Sequence, residues 1–509
     1  MKLVTSIVSL IALGAPAALL AQATGPGRAA ATITEADVRR RINIIADDSM
    51  GGRNTPSPGL DKTARYIAGE FKRLGLKPGG DNGTYLLSYP IVSRRLLPAQ
   101  STVRFGQISG ERGVRTTLDA GAALFYGPTD AVVKGGVVLV GGAVVVDSLK
   151  AEDLRNRMVV YVPAAATSGG SLQVLQRLVL SGARGVVVVV NSDSLVVASM
   201  RRQAGPRTSV GDGGRGAPIL FVKESVVLAQ VPEAAQQFEQ LRGAPITVVQ
   251  PQLDWEGEIV LRDTVLSAAT APNVVGIVQG SDPVLKNEYL VYSAHMDHVG
   301  TAGRPGAECR PVGADSICNG ADDDGSGTVG VMELAEAFSR TGARPKRSVV
   351  FLTVSGEEHG LWGSEWFVAH PPVPLAQIIA DINIDMIGRN WKDTIVAIGK
   401  EHSDLGSTLN RVNAAHPELA MHAIDDRWPA ESFYTRSDHY NFATKGVPIL
   451  FFFNGVHRDY HQVSDSPDKI DAEKESRILK LLFYLGQDLA NGKQRPRWVP
   501  ASYQQIVTP

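Results

Sequence analysis

The chain has 509 residues, with 51 Lys or Arg against 52 Asp or Glu, so its formal net charge at pH 7 is −1. Hydrophobic residues make up 44% of it, which suits a globular protein large enough for two domains. A balanced charge provides no overall basic character for nucleic acid, and we expect no nucleic-acid partner.

The first residues have the pattern of a secretory signal peptide. Lys2 supplies the positive start, residues 3–20 are mostly apolar, and residues 21–23 read Ala-Gln-Ala, an A-x-A cleavage site. A membrane anchor is the alternative, but Gly14 and Pro16 interrupt the apolar run, and no cysteine that could accept a lipid comes directly after the run. We predict a signal peptide over residues 1–23, a secreted or periplasmic protein, and no stable membrane insertion once the signal is removed.

Two helices are predicted in the next segment. Thr34, with Asp37 three residues on, resembles a helix start, and a second helix is expected over residues 61–74, ending at Gly75. The apolar residues that share a face are Val38, Ile42 and Ile45 in the first helix and Ala64, Ile67, Ala68 and Phe71 in the second. Both helices should pack on the sheet that is formed later in the chain.

Residues 95–250 consist of short Val-rich segments separated by glycines, which predict strands. The strands are expected at 136–140, 158–162, 185–190 and 219–222, and one amphipathic stretch lies at 172–180. We find no pairs of His, Asp or Glu with ligand spacing there, and interpret the region as an inserted β-rich module without chemistry of its own.

From about Trp255 the chain alternates apolar strands with helices such as the one predicted over 329–340. Continuous apolar strands joined by helical crossovers predict an α/β fold with a mostly parallel mixed sheet sandwiched by helices. Ligands of such sheets gather beyond the carboxyl ends of the strands. Residues 495–509, which contain Pro496 and Pro500, are predicted to be an exposed C-terminal extension.

Possible metal ligands follow several of these apolar strands. They are His295, Asp323, Glu358, Asp385 and, later in the chain, His461. Zinc that does hydrolytic work prefers imidazole and carboxylate and keeps one position open for water. Asp297, two residues after His295, could accept a hydrogen bond and brace an imidazole. The adjacent Glu357 and Glu358 would repel each other unless a cation divides them, so one could bind metal while the other takes a proton.

Two of these positions have competing interpretations. Asp322, Asp324, Ser326, Gly327 and Glu333 have the spacing of an EF-hand calcium loop. That motif needs a helix on each side, and the Pro- and Gly-containing residues 310–320 argue against a helix before it. A solvated acidic turn is the plainer alternative. At the end of the later strand, Asp381 is the alternative ligand to Asp385.

Cysteine is rare in this chain, which contains only Cys309 and Cys318. Both fall on one loop, and export to an oxidising compartment favours a disulfide between them. The alternative is a sulfur-type metal site, which would want more thiolates or nearby histidines.

At these residues the chain resembles the co-catalytic di-zinc aminopeptidases of metallopeptidase clan MH, the family of bacterial leucyl aminopeptidase and glutamate carboxypeptidase. The resemblance covers about 254–486 and the two N-terminal helices, and all five ligand motifs occur in the family order. It implies a catalytic domain over 30–94 and 251–494, and the insert 95–250 resembles a protease-associated domain.

The resemblance also implies a role for each site residue. His295 and Asp385 would bind one zinc ion, Glu358 and His461 the other, and Asp323 would bridge them and precede a cis peptide bond. Glu357 matches the general base. Tyr434, three residues before Ser437-Asp438-His439, matches a tyrosine that can hydrogen-bond the developing oxyanion.

The implied function is a zinc-dependent aminopeptidase that acts on peptide substrates. A carboxypeptidase of the same fold, specific for acidic C-terminal residues, would need arginines to bind carboxylates, and Arg389, Arg427 and Arg436 lie near the motifs. A glutaminyl cyclase fits less well because those relatives use one zinc. A receptor-like relative without metals would lack ligands, and none is missing here. The oligomeric state and the preferred side chain do not follow from the sequence.

Overall fold

The computed structural model describes residues 25–107, 115–164, 172–191, 198–200, 205–211, 216–303, 309–340, 342 and 344–507. The predicted signal peptide therefore lies outside the described residues. The described residues divide into two compact units, the first made of those within 25–87, 273–364 and 371–507 and the second of those within 88–272 and 365–370.

The strands, in chain order, are β1 Lys77–Pro78, β2 Leu86–Leu96, β3 Thr102–Gln107, β4 Thr116–Thr117, β5 Ala122–Tyr126, β6 Ala131–Gly142, β7 Met158–Pro163, β8 Gly185–Val190, β9 Arg207–Val210, β10 Ile219–Lys223, β11 Val248–Leu261, β12 Asp263–Val278, β13 Tyr289–His295, β14 Ser348–Val354, β15 Ile378–Ile384, β16 Thr394–Ile398, β17 His422–Ile424 and β18 Ile449–Phe452.

The α-helices are α1 Gly25–Ala30, α2 Glu35–Ile45, α3 Pro58–Arg73, α4 Ala151–Leu154, α5 Leu172–Leu180, α6 Glu224–Leu228, α7 Ala235–Gly243, α8 Gly325–Ser339, α9 Trp362–Ala369, α10 Leu405–Ala415, α11 His439–Ala443, α12 Ala472–Asn491 and α13 Pro500–Ile506. None of the described helices is both long and apolar enough to cross a membrane.

The sheet of the first unit runs in the order β17-β16-β18-β15-β13-β14-β12, with β1 paired to β12. Its centre is parallel, because β13 pairs in parallel with β14 and β15, and β15 with β18. Antiparallel pairs join β12 to β14 and β16 to β18. Helices α8 and α12 pack on β13, and α10 and α11 pack on β18. The predicted α/β class with a mostly parallel mixed sheet is confirmed.

Side-chain caps mark the starts of several helices in this unit. The Thr34 side chain accepts a hydrogen bond from the Asp37 N–H at the start of α2, as the sequence predicts. The sequence-based starts of α3 and α8 are late by three and four residues, since Ser57 caps α3 through the Leu60 N–H and Asp324 caps α8 through the Gly327 N–H. Hydrophobic periodicity does not detect the first turn of a helix when that turn has a side-chain cap but no apolar stripe.

The second unit contains an eight-stranded sheet in the order β4-β3-β11-β6-β7-β8-β10-β5. All four predicted Val-rich strands are present as β6, β7, β8 and β10, and the amphipathic stretch is helix α5. These four strands pair in parallel, β6 with β7, β7 with β8 and β8 with β10. The unit extends beyond both ends of the insert expected at 95–250.

The C-terminal segment is exposed along most of its length, but it is docked on the first unit. Trp498 Nε1 donates to the Gly446 carbonyl at 2.9 Å, and the Val499 N–H donates to the His402 carbonyl at 2.8 Å. Helix α13 follows directly. The predicted extension therefore has structure of its own, which Pro500 favours because proline suits the first turn of a helix.

Candidate metal centre

The predicted ligands lie at one edge of the first unit's sheet. His295 is the last residue of β13, Glu357 and Glu358 follow β14, and Asp385 directly follows β15. Because these strands are parallel neighbours, their carboxyl ends meet at the same edge. Asp323 approaches that edge from the loop before α8.

Three of these residues form a first group of donors. His295 Nε2 lies 3.4 Å from Asp323 Oδ1 and 3.7 Å from Asp385 Oδ1. One donor atom of each residue lies within 4.8 Å of the others, and all three side chains are buried. Asp385 Oδ1 makes no hydrogen bond to the described part of the chain.

A second group shares Asp323. His461 Nε2 lies 3.2 Å from Asp323 Oδ2 and 3.1 Å from Glu358 Oε2. His298, which the sequence argument did not select, also belongs here, because its Nδ1 lies 2.9 Å from Glu358 Oε1 and within 4.8 Å of a donor on Asp323. One oxygen of Asp323 thus faces His295 and the other faces His461, as expected of a bridging carboxylate.

The Asp297 carboxylate accepts hydrogen bonds next to the first donor group. It is fully buried, and its Oδ2 accepts from the Thr55 hydroxyl at 2.9 Å. Its Oδ1 accepts from the Glu357 N–H at 3.3 Å and lies 3.7 Å from His295 Nδ1. The hydrogen-bond partner of His295 Nδ1 is the Asp297 backbone carbonyl, at 3.2 Å, so the bracing of an imidazole by the Asp297 carboxylate stays a prediction.

The adjacent glutamates have opposite surroundings. Burial, together with the charges of Glu358 and Asp438, raises the pKa of Glu357 well above its ordinary value, although His295 opposes the shift. Burial and Asp323 would raise the pKa of Glu358 as well, but hydrogen bonds from His298 and His461 lower it to about 2. Two neighbouring carboxyl groups with such different proton affinities suit different chemical roles.

Buried groups hold the loop that carries Asp323. The Asp465 carboxylate accepts from the Asp322 and Asp323 N–H groups at 3.1 to 3.2 Å. The fully buried Arg53 donates to the carbonyls of Met296, Asn319 and Gly320. The Asp323–Asp324 peptide bond is cis, as the resemblance implies.

The structure decides between the competing interpretations of the acidic residues. Gly325, Ser326 and Gly327 begin helix α8, and Glu333 is paired with Arg41. These positions therefore do not form a calcium loop. Asp381 accepts a hydrogen bond from Ser293 at 2.8 Å and belongs to neither donor group, which favours Asp385 as the ligand.

The expected bond between Cys309 and Cys318 is confirmed. The two residues form a disulfide with their Cα atoms 6.4 Å apart, and both are buried.

A cavity opens onto the donor groups. Its walls are formed by His295, Asp323, Glu357, Asp385, Met386, Phe433, Arg436, Ser437, Phe451, Phe453, Val456 and Tyr460. The lining combines carboxylates with an apolar aromatic wall.

The tyrosine at this cavity is not the one expected. Tyr434 does not line it, and its ring instead contacts His402 and His439. Tyr460 lines the cavity and stacks on His461 with 3.9 Å between ring centroids. Burial and the carboxylates of Asp323 and Glu358 raise the pKa of Tyr460. Tyr460 is thus a second candidate for the oxyanion donor beside the predicted Tyr434, and the signal for it in the sequence was its adjacency to a predicted ligand.

Residues 273–486 match the family model described as Peptidase family M28. This part of the chain is therefore similar to the peptidases of family M28. Leupeptin-inactivating enzyme 1 of Streptomyces exfoliatus is 34% identical over 228 residues, 44% of this chain and 45% of that enzyme. The probable leucine aminopeptidase 2 of Aspergillus oryzae is 28% identical over 195 residues, 37% of this chain and 34% of that protein. The matched region thus spans less than half the length of either relative.

Among solved structures, an aminopeptidase from Aneurinibacillus sp. strain AM-1 aligns over 92% of this chain and 97% of its own, with 18% identity and a TM-score of 0.47. All five residues that we expected as ligands lie inside the region that matches the M28 family model, as do Glu357 and Tyr460.

The residues of this region fit a metal pair. Imidazole and carboxylate donors surround both positions, as divalent zinc prefers. Asp323 Oδ2 and Asp385 Oδ1 are buried without a hydrogen bond to the described chain. Because buried carboxylate oxygens need a partner, a cation is the natural one.

Proposed function

We propose that this protein is a zinc-dependent aminopeptidase that removes N-terminal residues from peptides. The observation that carries the proposal is the shared carboxylate of Asp323 between two donor groups, with Glu357 beside them. The Aspergillus relative is named as a probable leucine aminopeptidase, which supports the same activity. The presence of every expected ligand argues against a metal-free receptor.

In this proposal His295 and Asp385 would hold a first zinc ion, Glu358 and His461 would hold a second, and Asp323 would be shared between them. Zinc in such a pair polarises the scissile carbonyl and lowers the pKa of water. The three protein ligands at each position leave room for water or substrate, as hydrolytic zinc sites require.

The protein residues then move the protons and hold the reacting groups. Glu357, which lines the cavity beside the donor groups, takes a proton from the attacking water and passes it to the leaving amine. Asp297 keeps the Glu357 backbone in place through the hydrogen bond at 3.3 Å. Tyr460 lines the same cavity, where its hydroxyl can donate to the developing oxyanion.

The surroundings of the three nearby arginines favour an aminopeptidase over a carboxypeptidase. Arg389 donates to Asp459 at 3.0 Å, and Arg427 lies over the ring of Trp391, 5.2 Å from its centroid. Arg436 alone of the three lines the cavity, where it lies 4.7 Å from the Phe433 ring centroid. One exposed guanidinium among several carboxylates is a weak basis for binding a substrate carboxylate, whereas the acidic lining suits an α-ammonium group.

A matched set of substrates tests this assignment. We expect cleavage of unblocked dipeptides and of aminoacyl amides, with activity lost on N-acetylation. E357Q protein prepared in the same way controls for contaminating peptidases. Because Arg436 is the one arginine placed to bind a carboxylate, R436Q should leave kcat/KM for amides unchanged. Cleavage of an N-acetylated peptide at its C-terminal residue, with none of the amide and with loss in R436Q, would instead establish a carboxypeptidase.

We also propose that the protein is exported. The support is the signal-peptide pattern of residues 1–23 and the disulfide between Cys309 and Cys318. The insert expected at 95–250, which resembles a protease-associated domain, supplies none of the site residues named here. Intact-mass measurement of protein recovered outside the cytoplasm should give a chain that starts at residue 24; a mass that includes residues 1–23 would contradict export by cleavage.

A further inference from the structure

We propose that His298 is a positioning residue, which directs the carboxylate of Glu358 toward the second metal position without binding the ion itself. This inference rests on the proposed two-zinc function. It assigns a role to a histidine that the ligand motifs leave out.

The contact between His298 and Glu358 separates the two oxygens of that carboxylate. His298 Nδ1 lies 2.9 Å from Glu358 Oε1, while the other oxygen, Oε2, faces His461 Nε2 at 3.1 Å. The His298 side chain is fully buried, and a hydrogen bond shielded from water is stronger and more directional than an exposed one. Oε1 is therefore occupied by the imidazole, and Oε2 is left for the metal.

The His298 ring packs against Gly320, in the loop that carries the bridging ligand. The His298 N–H donates to the Arg53 carbonyl at 3.3 Å. A Cβ at Gly320 would lie only 2.5 Å from two ring carbons of His298, so this glycine allows the close approach. His298 Nδ1 also lies 3.5 Å from Asp323 Oδ2. The imidazole thus links Glu358 to Asp323, the two carboxylates that share the second metal position.

Coordination number argues against His298 as a ligand. Asp323, Glu358 and His461 already supply three donors, and a fourth protein ligand would close a tetrahedral zinc site of the structural kind. A catalytic ion needs an open position. The imidazole N–H that donates to a ligating carboxylate is instead the kind of outer contact whose loss costs about 10- to 100-fold in metal affinity.

Two polar substitutions at His298 distinguish a residue that positions Glu358 from a residue that binds the metal ion. In H298N the side-chain amide nitrogen lies close to the position of the imidazole Nδ1, so it can still donate a hydrogen bond to Glu358. In H298Q the side-chain amide nitrogen lies close to the position of Nε2 instead, so this hydrogen bond is lost. The measurement is the zinc dissociation constant of each position, obtained by competition with a chromophoric chelator. We expect H298Q to weaken one of the two zinc ions by about 10- to 100-fold and H298N to stay within a few-fold of the wild type.

The outcomes distinguish this inference from the function on which it rests. Equal losses in both variants, with an altered absorption spectrum of the Co²⁺-substituted protein, would make His298 a ligand and overturn the inference alone. Unchanged affinity in H298Q would also overturn it. A wild-type titration with only one tight zinc ion would overturn the two-zinc function together with it. Thermal unfolding of the metal-free variants checks that both are folded, and these measurements do not depend on activity.

Discussion

Glu357 and Glu358 are adjacent in the chain, yet each faces different partners. His298 and His461 surround Glu358 and hold its pKa at about 2, which keeps it ionised as a ligand must be. Glu357 has the raised pKa of a group that exchanges protons. A short turn after β14 is enough to direct the two side chains to different tasks.

The same substitution at the two positions tests this division. E357Q should keep both zinc ions and lower kcat by about two to four powers of ten, the usual contribution of a general base. E358Q should instead lower the zinc content, since an amide is a poor replacement for a carboxylate ligand. Elemental analysis and steady-state kinetics on both proteins provide the comparison. Similar metal content and similar kcat in the two variants would refute the assignment.

The two tyrosines allow a second test at the scale of single residues. Tyr460 lines the cavity beside the donor groups, and Tyr434 does not. Loss of one oxyanion donor costs about 10²- to 10³-fold in kcat, so we expect that loss in Y460F. Y434F is the matched control and should stay close to the wild type. A large loss of kcat in Y434F with none in Y460F would restore the sequence-based choice.

Secondary-structure elements were predictable where one face or one cap determines them. The strands β13, β14 and β15 are buried and mostly apolar, and the site residues lie at or just after their ends, as expected for parallel neighbours. His298 and Tyr460 escaped prediction because both lie in loops, and the family resemblance, which selected other loop residues such as His461, assigned them no role. In a loop, no periodicity tells which way a side chain points.

The cap of helix α2 gives a prediction at the scale of elements. The Thr34 hydroxyl oxygen accepts from the Asp37 N–H at 3.1 Å. T34A leaves that N–H without its acceptor and should lower the free energy of unfolding by about 0.5–2 kcal/mol. T34S keeps the hydroxyl and is the control. Urea unfolding of wild type, T34A and T34S measures this difference in the free energy of unfolding. Equal midpoints for T34A and wild type would show that the cap does not contribute to stability.

The whole molecule is nearly neutral, but its charge is unevenly placed. The net charge is only −1. Even so, four carboxylates lie close together in buried surroundings: Asp323, Glu357, Glu358 and Asp385. Such a cluster costs folding energy unless positive charge compensates for it. Composition could not reveal this, because the four carboxylates come together only when the sheet forms.

This cluster predicts that folding stability depends on metal. An ion that binds only the folded chain adds RT ln(1 + [L]/Kd), about 2.7 kcal/mol at a free concentration of 100 Kd. Removal of zinc by dialysis against a chelator should therefore lower the midpoint of thermal unfolding, and added zinc should restore it.

Two variants show whether the stabilisation comes from the proposed centre. D323N replaces the carboxylate common to both donor groups, so it should lose most of the zinc-dependent shift in midpoint. E357Q alters a buried neighbour that we do not assign as a ligand, and it should keep the full shift. Calorimetric scans with and without zinc on wild type, D323N and E357Q make the comparison. If the wild-type midpoint were independent of zinc, or if D323N responded like the wild type, the bridged metal centre would have to be abandoned.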